Sequence, residues 1–253
     1  MAHRAQLVHA FRILGATLFI GCAQPPTPCL LANAVGGAAV HSPGTAYLAV
    51  YYYRPGSETG SCSGGAFDFE GLVYAEAYGT LGTGQREVVW TPGEFAYDVN
   101  TGSPPDPTRD PGVRGHFTQT TVDKNGLCLI EGTAPGQQEI AGVLVTYDFK
   151  RVQVASSAAV QGTEILADVL ISRGTCSHEY DALGIWPAVP CATNTDCDPL
   201  PDPTHGRPNG SGLLPALPVE CNTGPLLEQD AGTGWCFFPD AGPTGFPFLS
   251  TVH

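Results

Sequence analysis

Between residues 46 and 175 the side chains change character at every second position, and glycine or proline interrupts the pattern before a helix could run far. The clearest example is Phe67 to Gly79. Phe67, Phe69, Val73, Ala75 and Ala77 share one parity, and Asp68, Glu70, Leu72, Tyr74, Glu76 and Tyr78 share the other. A strand presents alternate residues to opposite faces, so this reads as a strand with one buried and one wet face, and Gly71 inside it suggests a bulge. Tyr47 to Tyr53 is enriched in β-branched and aromatic residues and forms a second strand. Val143, Val145, Tyr147 and Phe149 begin another, which Val152 and Val154 extend past Arg151. Glu87–Thr91 and Phe95–Val99 flank Pro92-Gly93 and predict a hairpin. Gly115–Val122 and Leu127–Glu131 flank Asp123-Lys124-Asn125-Gly126 and predict another, since Asn-Gly favours a tight strand turn. Ile165 to Ile171 fits either a strand or a helical face, with strand preferred.

About eight short strands joined by glycine and proline turns imply an all-β fold, an antiparallel β-sandwich or jelly-roll-like domain. From Pro187 to His253 the pattern stops. That segment holds 12 Pro and 8 Gly in 67 residues and has no sustained apolar period. It cannot bury enough surface to offset its chain entropy unaided, so it reads as an irregular disulfide-rich C-terminal module.

The cysteines supply that constraint. There are nine: Cys22, Cys29, Cys62, Cys128, Cys176, Cys191, Cys197, Cys221 and Cys236. The first stands apart, because Met1–Arg12 carries Arg4 and Arg12 with no acid, Ile13–Ile20 is a short apolar run, and Gly21-Cys22 follows. This is the order of an export signal, and the run is too short to span a bilayer. Leu18-Phe19-Ile20-Gly21-Cys22 resembles the lipobox of bacterial lipoproteins, with Phe19 where that family usually has Leu. The resemblance implies cleavage before Cys22 and acylation of its thiol. It also implies sorting to the outer membrane or cell surface, because Ala23 follows the cysteine. With Cys22 set aside, the other eight make an even set of disulfide candidates in an exported chain, and eight cysteines allow 105 pairings. The late cysteines, Thr193-Asn194-Thr195-Asp196-Cys197 and Gly234-Trp235-Cys236 are similar to the Cys-rich tails of myxobacterial envelope lipoproteins. The expected organisation is a signal peptide (1–21), a lipidated N-terminus and tether (22–45), a β domain (46–175) and a Cys/Pro/Gly-rich module (176–253).

A formal net charge of −13, with 24 Asp plus Glu against 11 Lys plus Arg, repels phosphate backbones and argues against nucleic-acid partners. Catalytic signals are sparse. Gly60-Ser61-Cys62-Ser63-Gly64-Gly65 has the glycine density of a nucleophile turn but not its residue order, so Cys62 reads as a disulfide cysteine in a hairpin loop. No C-x2-C occurs, and Cys176-Ser177-His178 is too sparse for a structural zinc. Calcium is the one cation the acidic loops suggest, with Asp98, Asn100, Asp106 and Asp110 in one loop and Asp196, Asp198 and Asp202 in another; neither has EF-hand spacing. His116 reads as a surface residue, and Trp90, Trp186 and Trp235 as packing residues.

Asp68, Glu70, Tyr74, Glu76 and Tyr78 form a possible ligand face, since carboxylates two apart on a strand approach the spacing of an inverting glycosidase pair and aromatic rings stack on sugars. The leading expectation is a non-catalytic exported lipoprotein with no cofactor. It would be held to a membrane by its lipid, and its role would be structural or in recognition of a glycan or surface protein. The alternatives are a carbohydrate-binding module and a secreted hydrolase whose site is assembled from loops.

Overall fold

A computed structural model of the chain describes residues 27–29, 31, 46–62, 69–79, 86–96, 106–156, 162–205, 210–213, 215, 217–223 and 233–239. Its first ten strands form one antiparallel sheet. They are β1 (Ala46–Tyr53), β2 (Thr59–Gly60), β3 (Phe69–Gly79), β4 (Arg86–Pro92), β5 (Val113–Phe117), β6 (Leu127–Ala134), β7 (Gly136–Ile140), β8 (Val143–Ala155), β9 (Glu164–Arg173) and β10 (Cys176–Ile185). Along the sheet the order is β1-β3-β4-β5-β6-β8-β9-β10, and β10 pairs back onto β1 from Leu48↔Ile185 to Tyr53↔Tyr180. The sheet therefore curls closed, with β2 and β7 as short additions on β10 and β8.

The expected all-β antiparallel architecture and the disulfide-rich C-terminal part are both present, and the first ten strands form a single curled sheet. Closure satisfies the strand edges that a sandwich would leave open. The sheet also runs ten residues beyond the boundary expected at 175, because β10 bridges β9 and β1.

Eight strands enclose a space that side chains alone can fill. Here the filling is aromatic: Tyr47, Tyr51, Trp90, Phe95, Tyr147 and Phe149 are all buried in the interior cluster. Edge-on contacts organise them, with Phe95 and Tyr147 centroids 5.2 Å apart at 86° and Tyr47 and Trp90 5.9 Å apart at 67°. Each such pair contributes about 0.5 to 1.5 kcal/mol beyond simple burial.

Some local expectations hold and others change in detail. Ile165–Ile171 is strand, within β9. Gly71 pairs in register with Ala49, and the register shifts lie elsewhere, between Arg114 and His116 on the β5–β6 ladder and between Phe149 and Arg151 on the β8–β9 ladder. The second shift explains the change of phase in β8, where Val145, Tyr147 and Phe149 point inward before the extra residue and Val152 and Val154 after it.

The hairpin expected at Pro92-Gly93 is absent. Gly93–Ala96 instead forms one helical turn, α1, that drives Phe95 into the barrel end. So short an apolar segment cannot distinguish a strand from a helical turn, and here burial decides. Residues 97–99 of that expected strand lie outside the described residues. The Asp123–Gly126 turn is present, and the Asp123 carboxylate accepts the backbone N–H groups of Asn125 and Leu127 at 2.8 and 2.9 Å.

β1 is buried on both faces. Tyr47, Ala49 and Tyr51 face the interior, while Ala46, Leu48 and Val50 join a second core with Leu183, Ile185, Trp235 and Phe237. That second core is roofed by a three-stranded sheet of β11 (Pro190–Cys191), β12 (Glu220–Asn222) and β13 (Gly234–Phe237), in the order β11-β13-β12.

Candidate functional site

All eight of the paired-cysteine candidates are joined: Cys29–Cys128, Cys62–Cys176, Cys191–Cys221 and Cys197–Cys236. The first two close loops of 99 and 114 residues across the barrel, and the last two close loops of 30 and 39 within the module. In the chain-entropy picture loops of these lengths contribute about 3.7 to 4.8 kcal/mol each, the longer ones more. The lipidation candidate Cys22 lies outside the described residues.

The Cys29 bridge belongs to a strap that fixes the N-terminal segment to one barrel end. Pro28 bridges Thr121, the Cys29 N–H donates to the Thr120 carbonyl, and the Val122 N–H donates to the Thr27 carbonyl, both at 3.0 Å. Ser156 Oγ donates to the Pro28 carbonyl at 3.1 Å, and Leu31 is buried in the barrel core.

At the opposite end, α1 places Glu94 beside Arg173, whose guanidinium donates to both carboxylate oxygens at 3.1 and 2.8 Å. Burial first, and the Glu94 carboxylate second, push the Tyr51 and Tyr147 phenols up from their ordinary value. Both hydroxyls thus stay protonated, and the Tyr147 hydroxyl donates a hydrogen bond to the Glu94 carboxylate. This group closes the barrel end.

On the same end, Cys62 and Cys176 meet His178, whose Nε2 lies 3.1 Å from Cys176 Sγ. The three candidate ligand atoms lie within 4.8 Å of one another. A disulfide sulfur is no thiolate, so the cluster as it stands lacks the deprotonated sulfur that binds zinc. His178 is fully buried, packed edge-on to Tyr53 at 5.4 Å and Tyr180 at 6.3 Å. Sequence spacing revealed Cys176 and His178 as neighbours but not Cys62, which β2 delivers from 114 residues away.

The expected calcium-binding carboxylates are engaged in their own turns. Asp106 accepts from the Thr108 N–H and hydroxyl and from Arg109, and Asp110 accepts from the Gly112 N–H and Arg114. Asp196 caps the short 3₁₀ turn Asn194–Cys197 through Ala192 and Thr193, Asp198 accepts from the Leu200 N–H, and Asp202 accepts from Thr204. Asp98 and Asn100 lie outside the described residues.

Of the proposed ligand face, Asp68 is outside the described residues. Glu70, Tyr74, Glu76 and Tyr78 occupy β3 positions of parity opposite to the buried Val73, paired with Val50, Ala46, Val89 and Glu87. Val50 and Ala46 belong to the core under the C-terminal module, so this stretch of β3 runs along the module's border. His116 is exposed, while Trp90 and Trp235 are buried and Trp186 packs half-buried against the interior.

One titratable group is out of place and was missed from the sequence. Glu164 is fully buried, and neither carboxylate oxygen has a hydrogen-bond partner. Desolvation pushes it up to about 8. Ile165 faces the interior, so Glu164 and Leu166 face outward, and the cross-strand partners of Glu164 are Ala155 and Ile185, both under the module. The same outward row on β9 and β10 then turns polar: Asp168 and Asp181 sit directly opposite each other, bridged by Arg54, which also approaches Glu179.

A comparison with known proteins follows the same boundary. The family model MlpA matches residues 45–187, more than half of the chain and almost the span of the barrel. A Myxococcus xanthus protein named "Putative lipoprotein MlpA" is 26% identical over 123 residues, 46% of this chain. The matched part spans 49% of that protein, about half its length. No solved structure matches the chain. With its barrel matched from the first strand to the last, the chain belongs to the MlpA family.

Proposed function

We propose that this protein is an envelope lipoprotein, exported and cleaved before Cys22, then anchored by acyl chains on that cysteine, with a non-catalytic structural or recognition role. The observation that carries the reading is the family membership of the barrel, together with a relative named as a lipoprotein. Four disulfides agree with an oxidising compartment outside the cytosol. Ala23 after the cysteine favours the outer membrane or the cell surface.

The strap at Thr27–Cys29 gives this anchor a geometry. Five residue steps separate Cys22 from Thr27, and even a fully extended chain spans only about 3.6 Å per residue, so the pinned barrel end stays within roughly 18 Å of the acylated residue. The Asp123–Gly126 turn would face the lipid, and the Glu94 end would face away. The β3 positions Glu70, Tyr74, Glu76 and Tyr78 are the recognition surface of this reading, with a glycan or surface protein as partner.

The test is the intact mass of the chain exported by a Gram-negative host, alkylated with and without reduction. A mature species that begins at Cys22, carries acyl groups and exposes no thiol until reduced is the expected result. An unmodified Cys22, or a different N-terminus, overturns the anchor. Glycan-array binding lost in Tyr74→Ala would identify the partner class, and a blank array would remove glycans from it.

A further inference from the structure

The geometry points to a thiol–disulfide exchange site at Cys62–Cys176, in which an external low-molecular-mass thiol attacks Cys62 and His178 stabilises the Cys176 thiolate that leaves. Three observations converge there, and none depends on the lipid anchor.

The first is asymmetry of access. Cys62 is half-buried at the edge of the sheet, whereas Cys176 is buried behind it on β10. An incoming thiolate must line up with the S–S bond, and only the Cys62 side is open to solvent. The Cys29–Cys128 and Cys197–Cys236 pairs offer no such side, since all four residues are buried.

The second is a hydrogen-bond partner fixed on the leaving sulfur. His178 Nε2 lies 3.1 Å from Cys176 Sγ, and the ring is wedged between Tyr53 and Tyr180. Exchange is faster when the departing sulfur is stabilised as thiolate, and an N–H bonded to a charged sulfur is stronger than one bonded to a neutral disulfide. The contact therefore strengthens as the bond breaks.

The third is how little else, among the described residues, holds the attacked side. β2 is two residues long, and Thr59 and Gly60 are exposed. Gly60 has a φ of 83°, and a Cβ there would lie 1.8 Å from the Thr175 carbonyl oxygen, so the approach depends on glycine. Among the described residues, the further ties are single hydrogen bonds, such as Ser61 N–H to the Thr175 carbonyl at 3.2 Å.

The step balances without another reactant. The external thiolate sulfur bonds to Cys62 Sγ as the Cys62–Cys176 bond breaks, and the electron pair of that bond leaves on Cys176 Sγ. The incoming sulfur is oxidised to the disulfide level and Cys176 is reduced, leaving a mixed disulfide on Cys62 and a thiolate against His178.

The chain carries its own control. Cys191–Cys221 also has one half-buried member, Cys221, but its Cys191 sulfur lies beside those of Cys197 and Cys236 instead of an imidazole. The full mature chain is exposed to reduced glutathione, quenched by alkylation, and mapped by peptide mass. Cys62–Cys176 should open first, with glutathione on Cys62 and the alkyl group on Cys176. His178→Phe, which keeps a ring but loses the donor, should slow that opening roughly tenfold while leaving Cys191–Cys221 unchanged, and His178→Gln should restore part of the rate. If a His178 variant does not fold, the position of the adduct in the unaltered chain still decides. Glutathione on Cys176, or opening of Cys191–Cys221 as fast as Cys62–Cys176, overturns the site.

Discussion

In the barrel, β8 and β9 share a ladder of ten residue pairs, from Val145↔Arg173 to Ala155↔Glu164, whereas β12 and β13 in the C-terminal module share three. The barrel encloses its own interior; among the described residues, the module's buried side chains share one core with the outer face of β1 and β10 on which it rests. Each region nevertheless carries two disulfides. Because loop entropy grows only with the logarithm of length, the 114-residue loop of the barrel gains about 1 kcal/mol over the 30-residue loop of the module. The module still depends more on its bridges, since among the described residues its strands are short and its ladders hold two or three pairs. What a disulfide is worth to a region depends on what else orders that region, and the family match that ends at residue 187 follows the self-sufficient part.

The largest test of this contrast is to remove the buried Cys197–Cys236 bridge by replacing both residues with Ala. The expected cost is about 2 to 5 kcal/mol, confined to residues beyond 187. Hydrogen exchange should show faster exchange in β12 and β13 while β8, β9 and β10 keep their protection. Equal loss in both regions would show that they open as one unit, and the distinction would fail.

How much of this was legible in the sequence follows the same division. Alternation exposed β3, β8 and the Asp123–Gly126 hairpin, because a barrel strand with one face inward has to alternate. β1 departs from alternation because both of its faces are buried, and that departure is the trace of the module lying over it. On β10 the outward residues run Ser177, Glu179, Asp181, Leu183, Ile185, and the change from polar to apolar marks the edge of the module's footprint. The cysteine count implied four bridges but no connectivity, since pairing depends on which strands meet in space. Closure of the sheet was illegible for the same reason: β1 and β10 pair across more than 120 residues. The Cys62–Cys176–His178 cluster and the isolation of Glu164 are likewise products of that long-range pairing.

Glu164 sharpens the comparison at the seam between the regions. Its carboxyl titrates near 8 when folded and near 4.5 when unfolded, so its contribution to stability is fully present below pH 4.5 and is lost as pH rises toward 8. Across that window the unfolded chain has released a proton that the folded chain retains. Stability therefore falls by about 1.4 kcal/mol per pH unit from this group alone. Glu164→Gln should remove that slope, leaving the variant more stable than the unaltered chain at pH 8 and close to it at pH 4.5. Urea unfolding across the range measures this directly. An unchanged slope would mean that the seam admits water and the carboxyl ionises freely.

The smallest effect lies on the other half of the same outward row, where β9 and β10 leave the module and meet water. Asp168 and Asp181 face each other directly across the ladder, an arrangement that repels by about 0.2 to 1 kcal/mol when unscreened. Arg54 sits over both, with its Nε donating to Asp181 at 3.0 Å and its guanidinium also reaching Asp168. These partners, Asp181 foremost, raise the Arg54 guanidinium above its ordinary value. The three side chains are 23 to 38% exposed, so solvent screening limits the contribution of the contact. Arg54→Gln should therefore cost about 1 kcal/mol or less at low salt, and the difference should shrink as ionic strength rises. Adding Asp168→Asn to that variant should recover part of the loss by relieving the repulsion. A loss insensitive to salt, and not recovered by Asp168→Asn, would mean that Arg54 acts through packing of its stem. The charged half of the row would then resemble the apolar half under the module.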